Sequence, residues 1–291
     1  MEINKYALFA DVAETRNFTK TGERMGYTQP GVSHVLKTLE SEMGFPLFIR
    51  NKQGIELTPN AATLLPLVRQ LLSVNEQLEQ TISSINGLET GHLTIACFAS
   101  ISRNWLPGII HSFQKKYPGI EIDLLEGGTD DIVQWVENNI VDFGLLSKRH
   151  TNGLEWMPLY QDPLMAIHPK NYPLSFPDSF PLSEIANQPF IISAEGTDYD
   201  IHHALRKTGI TPNIRFSSKD DLSIVTMVAN ELGISILPRL VIQGFTESIL
   251  ALPLEPFYSR ELGIATCSKK GLSPAARNFI RILQEILPDL I

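Results

Sequence analysis

The sequence predicts an α/β protein built in series: an all-α winged helix-turn-helix at the N-terminus, a long linker helix, and a two-lobed α/β domain. Three observations predict it. Apolar residues recur at helical spacing through the first forty positions and then give way to a short hairpin. A regular apolar seam runs from Leu64 to Ile85. From His92 onward, strand-like and helix-like segments alternate. The chain has 291 residues, enough for about two domains of ordinary size.

Ile3, Leu8, Phe9 and Val12 place an apolar face on a first helix, which Tyr6 extends and Asn17-Phe18 interrupts. Thr19 can cap a second helix ending near Met25, with Gly26 in the left-handed position that closes it. Thr28 can cap a third, with Pro30 in its first turn. That helix turns Val32, Val35, Leu36 and Leu39 inward and leaves Gln29, Ser33, His34 and Lys37 on other faces. Two short helices joined by a turn of about three residues make a helix-turn-helix. A three-helix bundle with a solvated polar face has the same pattern. Phe45–Arg50, the turn 51–54 and Ile55-Glu56-Leu57 then read as a β-hairpin wing with Arg50 and Lys52 near its tip. Such a wing can set a cation on a phosphate or in a minor groove. Thr58-Pro59 caps the next helix.

Within this stretch, the run from Phe18 to Glu40 carries Thr21-Gly22, Gly26-Tyr27-Thr28-Gln29-Pro30 and Ser33-His34-Val35-Leu36-Lys37. Gly44-Phe45-Pro46-Leu47-Phe48-Ile49-Arg50 and Leu57-Thr58-Pro59 follow in order. Together they resemble the N-terminal signature of LysR-type transcriptional regulators. The resemblance implies a winged helix-turn-helix on each subunit of a dimer or tetramer, binding double-stranded promoter DNA. The DNA-facing residues it implies are Thr28, Gln29, Pro30, Ser33, His34 and Lys37, with Arg50 and Lys52 in the wing. The chain departs from the family at Thr21-Gly22, where two alanines are usual, and at His34 and Gln53, which often are basic. The last two each remove a cation from the DNA face.

Residues 59–88 read as one helix whose seam of Leu64, Val68, Leu71, Asn75, Leu78, Ile82 and Ile85 is spaced 4, 3, 4, 3, 4, 3. A sustained heptad seam marks a helix that packs along a partner, and a lone polar member such as Asn75 can set register. An amphipathic helix lying on its own domain is the alternative. Pro66 is expected to kink the helix near Ala62–Pro66. Gly87 and Gly91 are expected to form a hinge.

Beyond it, strands are expected at Leu93–Phe98, Ile120–Leu125 and Asp142–Leu146. Helices at about Ser102–Lys116 and Thr129–Asn139 separate them. This βαβαβ order predicts a parallel sheet covered on both faces. The pattern restarts at Leu164–Ile167, and strands follow at Phe190–Ser193, Asn213–Phe216 and Ile234–Leu237. Two more lie near Ile249–Pro253 and Leu262–Thr266 before a last helix, Pro274–Leu287. This half resembles the effector-binding domain of the same family, which has the two-lobed architecture of periplasmic binding proteins. Its landmarks are Val141-Asp142-Phe143-Gly144-Leu145-Leu146 and Gly233-Ile234-Ser235-Ile236-Leu237-Pro238. Domain bounds follow: 1–58 for DNA binding, 59–90 for dimerisation, 91–291 for the effector. Lobe I takes about 91–162 and 268–291, and lobe II 163–267.

Ligands in such sheets sit at strand C-termini against helix N-termini. That rule nominates Ser100, Ile101, Ser102, Thr129 and Ser147 in the first lobe and Ser193, Thr197 and His202 in the second. Helix capping alone also accounts for Ser102 and Thr129. Lys148 and Arg149 lie at the mouth, able to meet an anion or to sit in a solvated loop. A small polar effector such as a carboxylate suits these groups.

The composition narrows function. With 43 % hydrophobic and 19 % charged residues the chain is not disordered throughout. It has no apolar run near the ~18–20 residues of a membrane span and no secretory leader, so a cytoplasmic site is expected. Cys97 and Cys267 cannot build a disulfide framework or a four-ligand zinc site, and both read as small core residues. No phosphate loop, zinc helix or catalytic set is proposed; no cofactor, metal or enzymatic activity is expected. The net charge of −8 argues against nucleic acid until it is divided. Residues 1–58 hold seven cations and seven acids, and the other 17 cations and 25 acids carry the whole excess. The expected function is a ligand-responsive regulator, in which a molecule in the cleft shifts the balance between assemblies that bend DNA differently. The alternatives are a solute-binding receptor and a small-molecule enzyme using the same cleft.

Overall fold

The computed structural model describes residues 3–51, 54–85, 90–148, 153–172, 176, 178–194, 199–245 and 247–291, with the Arg50 side chain outside the description. It divides into two compact units, one of residues 1–91 with 138–140 and 273–275, the other of the remaining α/β portion.

The first unit opens with α1 (Ile3–Thr15), α2 (Phe18–Met25) and α3 (Gln29–Met43). Asn17, not Thr19, caps α2: its side chain accepts from the amides of Thr19 and Lys20. Asn reaches two free first-turn amides, so the cap moves two residues upstream. Gly26 closes the helix at φ 73°. A Cβ on Gly22 would lie 2.5 Å from the Tyr27 carbonyl oxygen, so only glycine lets α2 approach the turn this closely. Thr28 caps α3 by accepting from the Gly31 amide at 3.2 Å. The wing is β1 (Phe48–Asn51) paired antiparallel with β2 (Gly54–Leu57). It starts three residues later than expected. Glu40 of α3 anchors its base, accepting from the amides of Leu47 (2.7 Å) and Phe48 (3.4 Å).

Thr58 then accepts from Ala61 and donates to the Pro46 carbonyl, starting α4 (Pro59–Ile85) while tying it to the wing. α4 runs on through Pro66. Its first turns complete the core of this unit: Ala61, Leu65 and Val68 pack with Phe9, Val12, Leu36 and Leu47. Val68 is therefore no member of an outward seam. Leu64 is half-buried, and Asn75 is half-buried with its amide donated to Glu79 one turn on. The exposed apolar stripe is Leu67, Leu71, Val74, Leu78, Ile82 and Ile85; it keeps four members of the expected seam and replaces Leu64, Val68 and Asn75 with Leu67 and Val74, because the inner face of the first turns docks on the bundle. Gly91, at φ 154°, packs so closely on Gln80 that a Cβ would meet its Cγ at 2.8 Å.

In the second unit, β3 (Thr90–Cys97) leads into α5 (Ala99–Asn104) and α6 (Leu106–Lys116), then β4 (Gly119–Glu126), α7 (Thr129–Glu137) and β5 (Phe143–Ser147). The single helix expected over 102–116 is two, broken at the buried Trp105. Next come β6 (Glu155–Pro169), β7 (Phe180–Pro181), β8 (Phe190–Ser193), α8 (Tyr199–Thr208), β9 (Ile214–Ser218) and α9 (Asp221–Ala229). β10 (Ser235–Pro238), α10 (Arg239–Ile242), β11 (Ile249–Glu255), β12 (Ser259–Thr266) and α11 (Pro274–Ile286) complete the chain.

The sheet is mixed rather than parallel. β3 and β5 pair in parallel as expected, but β12 returns antiparallel between β5 and β6. β6 is long enough to join two packing regions. Its first half pairs with β12 and its second with β10 and β11. One region is cored by Phe113, Phe143 and Phe279, whose rings touch at 5.2 and 6.1 Å. The other gathers Phe180, Phe190, Ile201, Ile224 and Leu237.

Candidate functional site

Two sites emerge, one in each unit. On the first, Gln29, Pro30, Ser33, His34 and Lys37 line a groove of about 470 Å³ that Phe18, Glu40 and Phe48 complete. Helical spacing explains the gathering: residues 29, 33 and 37 stand one above another, four apart. Gln29, Pro30, His34 and Lys37 are exposed and Ser33 is half-buried. Thr28 is exposed, but its hydroxyl already serves the cap. The Arg50 side chain, Lys52 and Gln53 lie outside the described residues. Charge counting hides one thing the structure shows. Arg24 is held by Asp11 (3.3 Å) and Glu14 (3.1 Å), and Lys5 by Glu42 (2.7 Å). Those cations are partly spent on the protein itself, whereas Lys37 stands in the groove. Glu40 was not among the nominated residues; its role, tying α3 to the wing, depends on a contact seven residues away.

The second site is a cavity of about 570 Å³ in the α/β unit. Ser100 and Thr129 line it, together with Phe98 and the Gly127-Gly128 turn. Gly127 is required there, since a Cβ would strike the Trp135 ring at 2.7 Å. The other nominated residues do not line it. Ile101 is fully buried in the core. Ser102 sits inside α5, whose preceding residue Phe98 makes no side-chain cap; its hydroxyl lies against the Cys97 thiol. Ser147 and Ser193 are buried at strand ends, and the Ser193 carbonyl bonds His202 Nε2 at 2.8 Å. Thr197 and Arg149 lie outside the described residues. Lys148 pairs with Glu261 at 3.1 Å, so its charge is committed.

Sequence reasoning missed the residue at the centre of this site, Arg260. It is 5 % exposed, lines the cavity, and pairs through Nε with the fully buried Asp162 at 2.9 Å. Its Nη2 donates to Ser100 Oγ at 3.3 Å, and its guanidinium lies 5.6 Å from the Phe98 ring centroid. Asp162 also accepts from the Leu240 amide at 3.0 Å, so both its oxygens are used. Arg260 and Asp162 are register partners on β12 and β6, 98 residues apart, and no local pattern links them. The remaining lining is acidic: Glu126, Asp131, Asp200 and Asp221 against Lys219.

Cys97 is buried, and burial, reinforced by Glu126, pushes its thiol up to about 12. Cys267 is exposed, contrary to expectation, with its Sγ 3.0 Å from the Val136 carbonyl; burial of part of the thiol still raises its pKa. Neither is an activated thiolate. Among the described residues no group of three His, Cys, Asp or Glu side chains is placed to hold a metal, and no helix is long and apolar enough to cross a membrane.

The chain matches two family descriptions: "Bacterial regulatory helix-turn-helix protein, lysR family" over residues 3–62, and "LysR substrate binding domain" over 86–288. An uncharacterised HTH-type transcriptional regulator, YvbU of Bacillus subtilis (strain 168), is 29 % identical, spanning 98 % of this chain and 99 % of the relative. The HTH-type transcriptional activator CmpR of Synechocystis sp. is 28 % identical over 97 % of this chain and 94 % of its own length. The fold is that of a full-length OxyR variant from Pseudomonas aeruginosa, with TM-score 0.77 at 21 % identity, 98 % of this chain and 94 % of that one. An N-terminal helix-turn-helix and an effector-binding α/β unit matched along nearly the whole length make this chain a member of the LysR family of transcriptional regulators.

Proposed function

We propose that the groove on α3 reads the major groove of promoter DNA and that the α/β cavity holds the effector that regulates it. One observation carries the DNA assignment: Gln29, Pro30, Ser33, His34 and Lys37 share one groove on a helix whose opposite face is core. Gln29 suits an adenine edge or a phosphate, Ser33 either, Lys37 a phosphate. Thr28 caps α3 and presents its first-turn amides. Arg50 and Lys52 belong to the wing's contribution. Residues 1–58 form the reader, 59–90 the linker and 91–291 the sensor.

One reader spans only a few base pairs, so two copies related by symmetry are needed for a full site. The stripe Leu67, Leu71, Val74, Leu78, Ile82 and Ile85 supplies the apolar surface for such pairing. Leu78→Asp is expected to leave the fold of the monomer intact and shift the chain toward monomer in sedimentation. An unchanged assembly state would place the interface elsewhere.

In the cavity, Ser100 and Thr129 offer hydroxyls, and Arg260 is the buried cation behind them. Its charge is already offset by Asp162, while four further carboxylates line the space. This balance favours a polar effector carrying hydroxyl or ammonium groups over the carboxylate suggested by hydroxyls and helix ends alone. Fluorescence anisotropy with the DNA upstream of its own gene tests the main assignment. Gln29→Ala and Ser33→Ala are expected to weaken specific binding, and indifference to both would overturn it. Thermal shift of the full chain against small amines and polyols tests the cavity. A shift that persists in the Ser100→Ala, Thr129→Ala double variant would reject it.

A further inference from the structure

Among the described residues of the first 58, Tyr27 carries the one exposed aromatic ring. Tyr6, Phe9 and Phe18 are buried, and Phe45 and Phe48 are half-buried against the same core. Tyr27 stands in the turn between α2 and α3 and immediately precedes Thr28, the cap of α3. A single exposed ring needs no explanation by itself. What sets Tyr27 apart is how it is held and where. Its amide donates to the Gly22 carbonyl at 2.8 Å, and its own carbonyl lies against Gly22, where any Cβ would collide with it. The backbone at this position is thus fixed on α2. A second glycine lies beside the ring: a Cβ at Gly31 would stand 3.8 Å from the Tyr27 Cδ1. The ring therefore runs along the first turn of α3, close to Gln29 and Pro30. The phenol hydroxyl has no hydrogen-bond partner among the described residues.

When a recognition helix enters the major groove, its N-terminal residues meet base edges, and the element before it crosses the DNA backbone. Tyrosine suits the junction of the two. Its ring is an apolar body that can cover a sugar, and its hydroxyl is a polar tip that can donate to a phosphate oxygen. The reader also has few cations to spare. Residues 1–58 sum to zero charge, and Lys5 and Arg24 are paired with carboxylates of the protein itself. A neutral donor on a phosphate adds affinity without a further cation.

We propose that Tyr27 is a DNA-backbone contact of the reader, its hydroxyl donating to a phosphate at the edge of the major groove. Gly22 gives its backbone a fixed seat, and Gly31 leaves its ring room beside α3. The contact anchors the N-terminal end of α3 and reads no base. It goes beyond the α3 assignment above and rests on it.

Tyr27→Phe tests the hydroxyl while keeping the ring. Binding of the full chain to its upstream DNA, followed by anisotropy across a salt series, is expected to weaken about tenfold, the size of one hydrogen bond to a charged group. The slope of log affinity against log salt should stay that of the natural chain, because no cation is lost. The same factor is expected on sites carrying single base-pair changes, since a phosphate contact holds no sequence information. Ethylation of the DNA phosphates gives a readout that stability does not move. One phosphate in each half-site should block the natural chain when ethylated and leave Tyr27→Phe unaffected. Full affinity in Tyr27→Phe, a loss confined to one base pair, or an unchanged ethylation pattern would overturn the contact. Gln29→Ala and Ser33→Ala keep the two readings apart. Losses in both with none in Tyr27→Phe would overturn the role of Tyr27 alone. No loss in any of the three would overturn the α3 assignment with it.

Discussion

The two candidate sites are assembled in opposite ways. The groove on α3 draws Gln29, Pro30, Ser33, His34 and Lys37 from nine consecutive positions, and helical geometry alone brings them together. The cavity of the α/β unit draws on the end of β4, the first turns of α5, α7, α8 and α9, and a residue in β12. Its centre, the Asp162–Arg260 pair, is made by tertiary pairing of two distant strands. Local sites tolerate loss of one contact with the fold intact, whereas a buried non-local pair is part of the fold and of the site at once.

The largest effect expected from this difference is at Asp162. Asp162→Ala leaves the Arg260 charge buried without its partner, and the α/β unit should lose about 3–5 kcal/mol. Thermal unfolding checks it. Asp162→Leu with Arg260→Met, which removes both charges, should recover most of the loss; a double variant as unstable as the single would show that packing dominates. In the first unit the severest expected change is Gly22→Val. The added Cβ meets the Tyr27 carbonyl, and overpacking of this kind costs about 1–3 kcal/mol. It should lower the stability of the reader and its DNA affinity together. Gln29→Ala is smaller and cleaner. It should cost about 1–3 kcal/mol of discrimination at one base pair, with the melting temperature unchanged.

The smallest effect is a pH term. Glu261 accepts from Trp156 (2.7 Å) and Gln161 (3.2 Å) and pairs with Lys148, and these bonds, led by that of Trp156, hold its carboxyl below the ordinary value of 4.5. A depressed folded pKa stabilises above the unfolded value, and the contribution is lost as pH falls through the folded one. The stability of the natural chain should therefore fall more steeply below pH 4.5 than that of Glu261→Gln. Equal slopes would remove Glu261 from the account.

How much could be read in the sequence follows the same division. Periodicity found the three N-terminal helices and the wing, because each is specified by neighbours in the chain. The left-handed glycine at Gly26 and the cap at Thr28 were equally local. The seam on α4 holds in its second half, where Leu71, Leu78, Ile82 and Ile85 are exposed, and fails in its first, where Val68 is buried. Ala61, Leu65 and Val68 are claimed by the core of their own unit, and spacing does not say which of two apolar stripes faces inward. The parallel sheet was expected from strand–helix alternation, but β12 enters from the far end of the chain and turns the sheet mixed. Of the residues the strand-end rule nominates, Ser100 and Thr129 line the cavity. Ser102, Ser147 and Ser193 met the same rule, yet burial and local hydrogen bonding direct them elsewhere. Arg260 had no local signal, since its partner on β6 is visible only once the strands pair.

We propose that recognition of DNA resides in the exposed polar face of α3 and not in the overall charge of the chain. The most direct measurement is the affinity of the full chain for its upstream DNA across a salt series, compared with Lys37→Gln and His34→Arg. Each phosphate contact contributes about 0.9 to the slope of log affinity against log salt. The slope should be flatter by about 0.9 for Lys37→Gln and steeper for His34→Arg. Slopes identical in all three proteins would contradict the proposal.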